Sequence, residues 1–176
     1  MITIIQFNSR SLTKSNLIMF KAYLHQHKPL IALLSETYWK KSFSVKFKQY
    51  HSIIKNRENS PGGGVAILVH KSLQFTPLVL PSLTTIEAVA VTINVEVNKK
   101  NELIDIISVY IPNGNNCSED EIQQLTQGSN SIIIGGDFNA HHYIWEPSCH
   151  QSNQSGRAVA NLLERNENIM ISTPPT

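Results

Sequence analysis

The sequence predicts an α/β protein. Three observations carry this: an opening strand–helix–strand pattern, a middle stretch of β-branched runs broken by turn residues, and a return to helix–strand alternation afterwards. Residues 2–7 are β-branched and apolar until Asn8-Ser9-Arg10-Ser11 breaks the run. From Thr13, a residue type that caps helices, Leu17, Phe20 and Leu24 recur at helical spacing, and the pattern stops before Pro29. Residues 30–34 form a short unbroken apolar run, the pattern of a strand covered on both faces, closed by Ser35-Glu36-Thr37. A helical crossover of this kind sets its two strands parallel, so Asn8 and Glu36 are expected at the same edge.

The middle reads as a meander. Residues 50–54, 65–69, 75–80, 88–97 and 103–110 are strand-like and are separated by turn signals, among them Ser60-Pro61-Gly62-Gly63-Gly64 and Asn98-Lys99-Lys100-Asn101. Val89, Val91, Ile93, Val95 and Val97 alternate with Ala90, Thr92, Asn94 and Glu96, which predicts one buried and one wetter face. Acidic Glu119, Asp120 and Glu121 suit the start of a short helix over 118–127. A buried strand is expected over 131–134, a helix around Val159, Leu162 and Leu163, and a last strand over 168–171.

Composition sets limits. The chain has 176 residues, 41% of them apolar, and 15 Lys+Arg against 13 Asp+Glu give a formal charge of +2. That is enough to fill one core in a single unit over 1–176, and no internal repeat or low-complexity linker marks a second. No apolar stretch approaches the roughly 20 residues of a membrane span. The opening segment has neither a basic region nor a small-residue cleavage site, which predicts an intracellular chain without a membrane partner. Two cysteines, Cys117 and Cys149, do not make a disulfide framework, and reduced thiols are expected.

Four apolar strands end in polar residues: Asn8, Glu36, Tyr110 with Asn113, and Asp137 with Asn139. Ligands of α/β sheets collect at the carboxyl ends of strands. Each residue alone reads equally as a turn former or cap. Converging, two carboxylates with amides and a phenol suit Mg²⁺, which takes one or two carboxylates plus water and phosphate oxygens. His141, His142, Cys149 and His150 crowd together but fit no standard zinc spacing. The triple glycine lacks the Lys-Ser/Thr of a phosphate loop and reads as a hairpin turn. Lys40, Lys41, Lys46, Lys48, Lys55 and Arg57, interleaved with Phe43, Phe47 and Tyr50, form either a DNA-tracking segment or a solvated face with inward aromatics.

Leu-Ser-Glu36-Thr, Val-Tyr110-Ile-Pro-Asn113, Gly-Gly-Asp137-Phe-Asn139-Ala-His-His and Asn8-Ser-Arg-Ser together resemble the endonuclease/exonuclease/phosphatase superfamily. Gly62-Gly63-Gly64-Val65-Ala66-Ile67-Leu68-Val69 and Asn139-Ala140-His141-His142 before Trp145 look more closely like the apurinic-type endonuclease of jockey-like non-LTR retrotransposons. The resemblance implies a two-sheet α/β sandwich, DNase I-like. It implies Mg²⁺, with Mn²⁺ as an alternative, held by Glu36 with Asn8. Tyr110 would contact the scissile phosphate, Asp137 would orient or activate the attacking water, and Asn139 would position phosphate or water. Asn113 would touch the DNA backbone, whereas Lys46, Lys48 and Arg57 are candidate DNA contacts on the strength of the basic segment itself and not of the resemblance. The implied reaction is nicking of one DNA strand to leave a 3′ hydroxyl that primes reverse transcription, with a reverse transcriptase region as partner and the nucleus as location. The family also carries a Ser-Asp-His motif on a late loop. None of the seven histidines, His25, His27, His51, His70, His141, His142 and His150, follows Ser-Asp. The expectation is a domain missing its last strands, with one sheet incomplete and nicking weak or lost. Two other readings stand beside it: a noncatalytic remnant that at most binds DNA, and a phosphatase or abasic-site nuclease of the same superfamily.

Overall fold

In the computed structural model, residues 2–42, 45–58, 60–113 and 117–172 are described. Phe43 of the basic segment and the tail 173–176 lie outside them. The first strand–helix–strand unit forms as its pattern requires. Strand β1 (Ile4–Asn8) pairs in parallel with β2 (Ile31–Ser35), and Asn8 stands opposite Ser35. Helix α1 (Lys14–His27) crosses between them and turns Phe20 and Leu24 inward. Thr13 occupies the N-cap position, but its side chain makes no capping bond. Its hydroxyl instead shares a hydrogen bond with Ser11 Oγ at 3.0 Å.

The expected meander is divided between two sheets. Strands β3 (Tyr50–Lys55) and β4 (Val65–His70) stay with the first, in the order β1-β2-β4-β3. Val65 to Val69 are all fully buried, so β4 must have neighbours on both sides and lies beside β2. Strand β3 exposes His51, Ile54 and Lys55 and takes the edge. The second sheet runs β5 (Phe75–Leu78), β6 (Glu87–Val97), β7 (Lys100–Tyr110), β8 (Ser131–Asp137) and β9 (Ile169–Ser172), antiparallel to β7 and parallel beyond it. The β6–β7 hairpin turns through Asn98 and Lys99, both at positive φ, as a two-residue turn between right-twisted strands requires.

The sheets stack face to face. Ile31, Leu33, Ile67 and Val69 of the first pack against Val91, Ile93, Val95 and Ile106 of the second. On the outer face of the first sheet, Ala32, Leu34, Ala66 and Leu68 meet Phe20 and Leu24 of α1. On the outer face of the second, Ala88, Ala90, Ile107 and Val109 lie under Ile122 of α2 (Glu119–Gln124) and Ala158, Val159 and Leu162 of α3 (Gln154–Arg165). The result is a four-layer α/β sandwich. It also corrects the expected wet face of β6 in part: Ala90 is buried beneath the helices and Thr92 is half-buried, whereas Asn94 and Glu96 are exposed. Both cysteine thiols are free, Cys117 being buried. Among the described residues no helix is long and apolar enough to cross a membrane.

Candidate active site at the strand ends

The two sheets deliver their polar strand ends to one rim. Asn8 ends β1 and Glu36 follows β2, while Tyr110 and Asp137 are register partners at the ends of β7 and β8. Asn8 Nδ2 donates to Glu36 Oε1 at 3.0 Å and to Asp137 Oδ2 at 2.5 Å. One amide thus uses both its protons to hold carboxylates that are far apart in sequence and belong to different sheets. Among the described residues neither carboxylate forms an ion pair.

Backbone conformation is unusual at this rim. Glu36, Tyr38 and Asn139 all have positive φ, at 52°, 57° and 43°. Such conformations disfavour side chains and persist where surrounding contacts over-determine them. Here Ser11 N–H donates to the Glu36 carbonyl at 2.9 Å, and Tyr38 N–H donates to the Gly63 carbonyl at 2.9 Å.

Asp137 is buried, and burial pushes its carboxyl above the usual range. The Asn139 N–H, donating to Oδ1 at 3.1 Å, pulls it back, and the nearby Glu36 charge pushes it up again. Tyr110 is pushed up to about 12 by burial and by the Glu36 charge, so its phenol is protonated at neutral pH and remains a donor. One proton of Asn139 Nδ2 is taken up by the Ile111 carbonyl at 2.7 Å, which leaves the second proton and the side-chain oxygen, an acceptor, for a ligand.

The other sequence candidates are dispersed. Asn113 is exposed in the loop after β7. Arg57 reaches the rim, but it is bound to Glu87 and lies over the Tyr110 ring. Lys46 and Lys48 are exposed on either side of Phe47, which is buried against Phe20 and Trp39. Lys48 stands two residues before Tyr50, whose partner is His70, at the opposite end of the sheet from Glu36. The structure therefore does not bring these two lysines to the carboxylates. Phe47 and Tyr50 point inward, as a solvated basic face predicts. In the histidine-rich loop, His141 is hydrogen-bonded to Glu146 at 2.9 Å and His142 packs on Tyr143 and Trp145.

Three residues at the rim escaped the sequence reading. Tyr38 donates its hydroxyl to Glu36 Oε2 at 2.9 Å; its position two after Glu36 was the only available signal. Asn153 caps α3 by accepting from Gly156 N–H, and its Nδ2 donates to the Asn139 carbonyl at 2.8 Å. Glu87 opens β6 and carried no local signal at all.

Two carboxylates meeting around one neutral amide, neither of them in ion-pair contact with a Lys or Arg among the described residues, form a donor set that suits a hard divalent cation with oxygen ligands and open positions for water and phosphate. Among the described residues no three His, Cys, Asp or Glu side chains gather as an all-protein cage.

Known proteins share this architecture. The sequence model of the Endonuclease-reverse transcriptase family matches residues 104–176. A probable RNA-directed DNA polymerase from transposon X-element of Drosophila melanogaster is 28% identical over 156 residues. That match takes in 87% of this chain and 16% of the relative, so the chain spans a small part of that protein. Among solved structures, an AP endonuclease from Leishmania major superposes with a TM-score of 0.65 at 14% identity, covering 93% of this chain and 66% of its own. A 3′ phosphatase from Neisseria bound to a product DNA hairpin gives 0.59 at 17%, covering 93% and 71%. An AP endonuclease from Archaeoglobus fulgidus gives 0.55 at 20%, covering 94% and 71%. At such identities the likeness is one of fold, and that fold is the DNase I-like sandwich which the strand-end motifs resemble.

Proposed function

We propose that a chain with the fold of the AP endonucleases, whose sequence matches an endonuclease–reverse transcriptase family, works as the divalent-metal-dependent DNA-nicking part of a retroelement protein. One observation carries the reading: a single amide, Asn8 Nδ2, brings Glu36 and Asp137 together from two sheets, with neither carboxylate in an ion pair among the described residues. Glu36, with the Asn8 oxygen, would hold Mg²⁺ or Mn²⁺. When bound, the cation would draw charge from the scissile phosphate and stabilise the departing oxyanion.

The chain's own residues supply the rest. Tyr110, protonated at neutral pH, donates a hydrogen bond to a phosphate oxygen. Asp137, its carboxyl fixed by the Asn139 N–H, accepts a proton from the attacking water, and the Asn139 oxygen orients that water. Asn113 touches the DNA backbone, and Lys46 and Lys48 add a salt-dependent attraction away from the cut. In a full-length product the partner is the reverse transcriptase region, which the 3′ hydroxyl would prime, and the site of action is the nucleus. Turnover by these residues alone is slow, because none of the histidines follows Ser-Asp as in the superfamily motif and no residue named here protonates the departing oxygen.

The test is nicking of supercoiled plasmid with Mg²⁺ or with chelator, together with calorimetric Mg²⁺ binding. Wild type is expected to bind Mg²⁺ and to nick slowly, while Glu36→Gln and Asp137→Asn lose about 100-fold or more of the nicking. Mg²⁺ binding that is equal in wild type and Glu36→Gln removes the proposal. Mg²⁺ and DNA binding without any nicking would leave a DNA-binding module.

A further inference from the structure

Glu87 and Tyr110 are register partners across the β6–β7 ladder. Both Glu87 carboxylate oxygens are engaged, one by Arg57 Nε and the other by the Gly64 N–H at 2.6 Å. The Arg57 guanidinium carbon lies 5.4 Å from the Tyr110 ring centroid, within cation–π range. Side-chain exposure of Arg57 and Glu87 is only 17% and 18%. An ion pair so far removed from water contributes little net stability, since desolvation offsets much of its attraction. What it does provide is a fixed geometry.

The triple glycine belongs to the same assembly. A Cβ on Gly63 would sit 2.4 Å from Arg57 Cζ, and φ there is +66°, so only glycine lets the turn close over the guanidinium. The Gly64 and Gly63 carbonyls accept from the N–H groups of Thr37 at 3.2 Å and Tyr38 at 2.9 Å, the two residues after Glu36. Contacts therefore run from Glu87 both to the Tyr110 ring and to the backbone that carries Glu36.

We propose that Glu87 is a positioning residue: through Arg57 and the glycine turn it fixes the Tyr110 ring, and so the phenol hydroxyl, at the Glu36–Asp137 rim. The role assigned to that hydroxyl rests on the endonuclease reading, but the contact being tested does not. Lysine cannot replace Arg57, because it lacks the planar fork that bonds Glu87 while covering a ring.

Protein labelled with 3-fluorotyrosine gives one resonance for each of its five tyrosines, with Tyr110 assigned by Tyr110→Phe. In Glu87→Gln and in Arg57→Lys the Tyr110 line is expected to shift and broaden, while the line of buried Tyr50, at the far end of the first sheet, stays in place and reports an intact fold. Where nicking is measurable, kcat falls about ten-fold with KM for DNA nearly unchanged, as misplacement of a reacting group requires. In a Tyr110→Phe background Glu87→Gln then costs nothing more. A Tyr110 line unmoved in both variants overturns the inference, whether or not the protein nicks. Absence of nicking in wild type defeats only the endonuclease reading, and the resonance still decides this one. Should Glu87→Gln lose all five native lines, Arg57→Lys decides.

Discussion

Asn8 solves an electrostatic problem for the free protein. Glu36 and Asp137 repel each other at the rim, and the two protons of one amide are what the fold sets between them. Removing that donor leaves two facing carboxylates with less compensation, so Asn8→Ala should destabilise the cation-free protein by about 1–2 kcal/mol. A divalent cation would bind only the folded site, and Asn8→Ala also removes one of its proposed ligands, so Mg²⁺ should stabilise wild type more than the variant and widen the gap. Thermal melts of wild type and Asn8→Ala, each with chelator and with millimolar Mg²⁺, measure this. A gap that Mg²⁺ leaves unchanged would show that Asn8 does not help to hold the cation, and equal melts in chelator would show that the amide does not act between the carboxylates. The linkage sign is set by Asp137. Its folded pKa is raised, so its contribution to stability is full below the ordinary carboxylate value and is lost as pH rises through the folded value. The free site is thus least comfortable at neutral pH, where a cation is most useful.

At the scale of elements, the short helix α2 is tethered by a carboxylate. Glu121 accepts from the N–H groups of Thr84 and Thr85 and from both their hydroxyls, just before β6 begins. Burial alone would raise its pKa, but these four donors outweigh burial and the net shift is downward. A depressed folded pKa gives stability that is present above the ordinary glutamate value and is lost as pH falls through the folded value. Glu121→Ala should therefore cost about 2 kcal/mol at neutral pH, and the difference from wild type should shrink in strong acid. Urea melts from neutral pH down to the acid range read it. A difference independent of pH would mean that the helix is held by Ile122 packing instead. The acidic start of α2 was legible in the sequence as a helix N-terminus, and Ser118 does cap it by accepting from the Glu121 N–H. The tether was not legible, because its donors lie 36 and 37 residues away and nothing local distinguishes Glu121 from its acidic neighbours. The same separation hid Glu87, whereas Asn8, Glu36 and Asp137 announced themselves by ending apolar strands.

For the molecule as a whole, strands and their order along the chain were readable from period and turn residues, but their distribution between two sheets was not. An apolar run such as Val65 to Val69 fits any central position, and only packing decides that β4 joins β2 while β5 crosses to the other sheet. That distribution makes the site. Asn8 and Glu36 ride on one sheet and Tyr110 and Asp137 on the other, so the spacing between sheets sets the spacing of the carboxylates. At the interface, Gly135 faces Leu33: a Cβ there would come within 2.5 Å of Leu33 Cδ1. Gly135→Ala should overpack this contact, cost about 1–3 kcal/mol, and move β8 away from β2, with Asp137 only two residues further on. Its Mg²⁺-induced rise in Tm should be smaller than that of wild type, although no residue at the rim has changed. Leu33→Ala alone should cost about 2–5 kcal/mol through the cavity it leaves. Combined with Gly135→Ala it makes room for the new methyl group, so the double variant should regain Mg²⁺ response and be more stable than the sum of the two changes allows. A full wild-type Mg²⁺ shift in Gly135→Ala would show that the rim tolerates a change in sheet spacing, and that the Asn8 amide, not the sandwich core, sets the distance between Glu36 and Asp137.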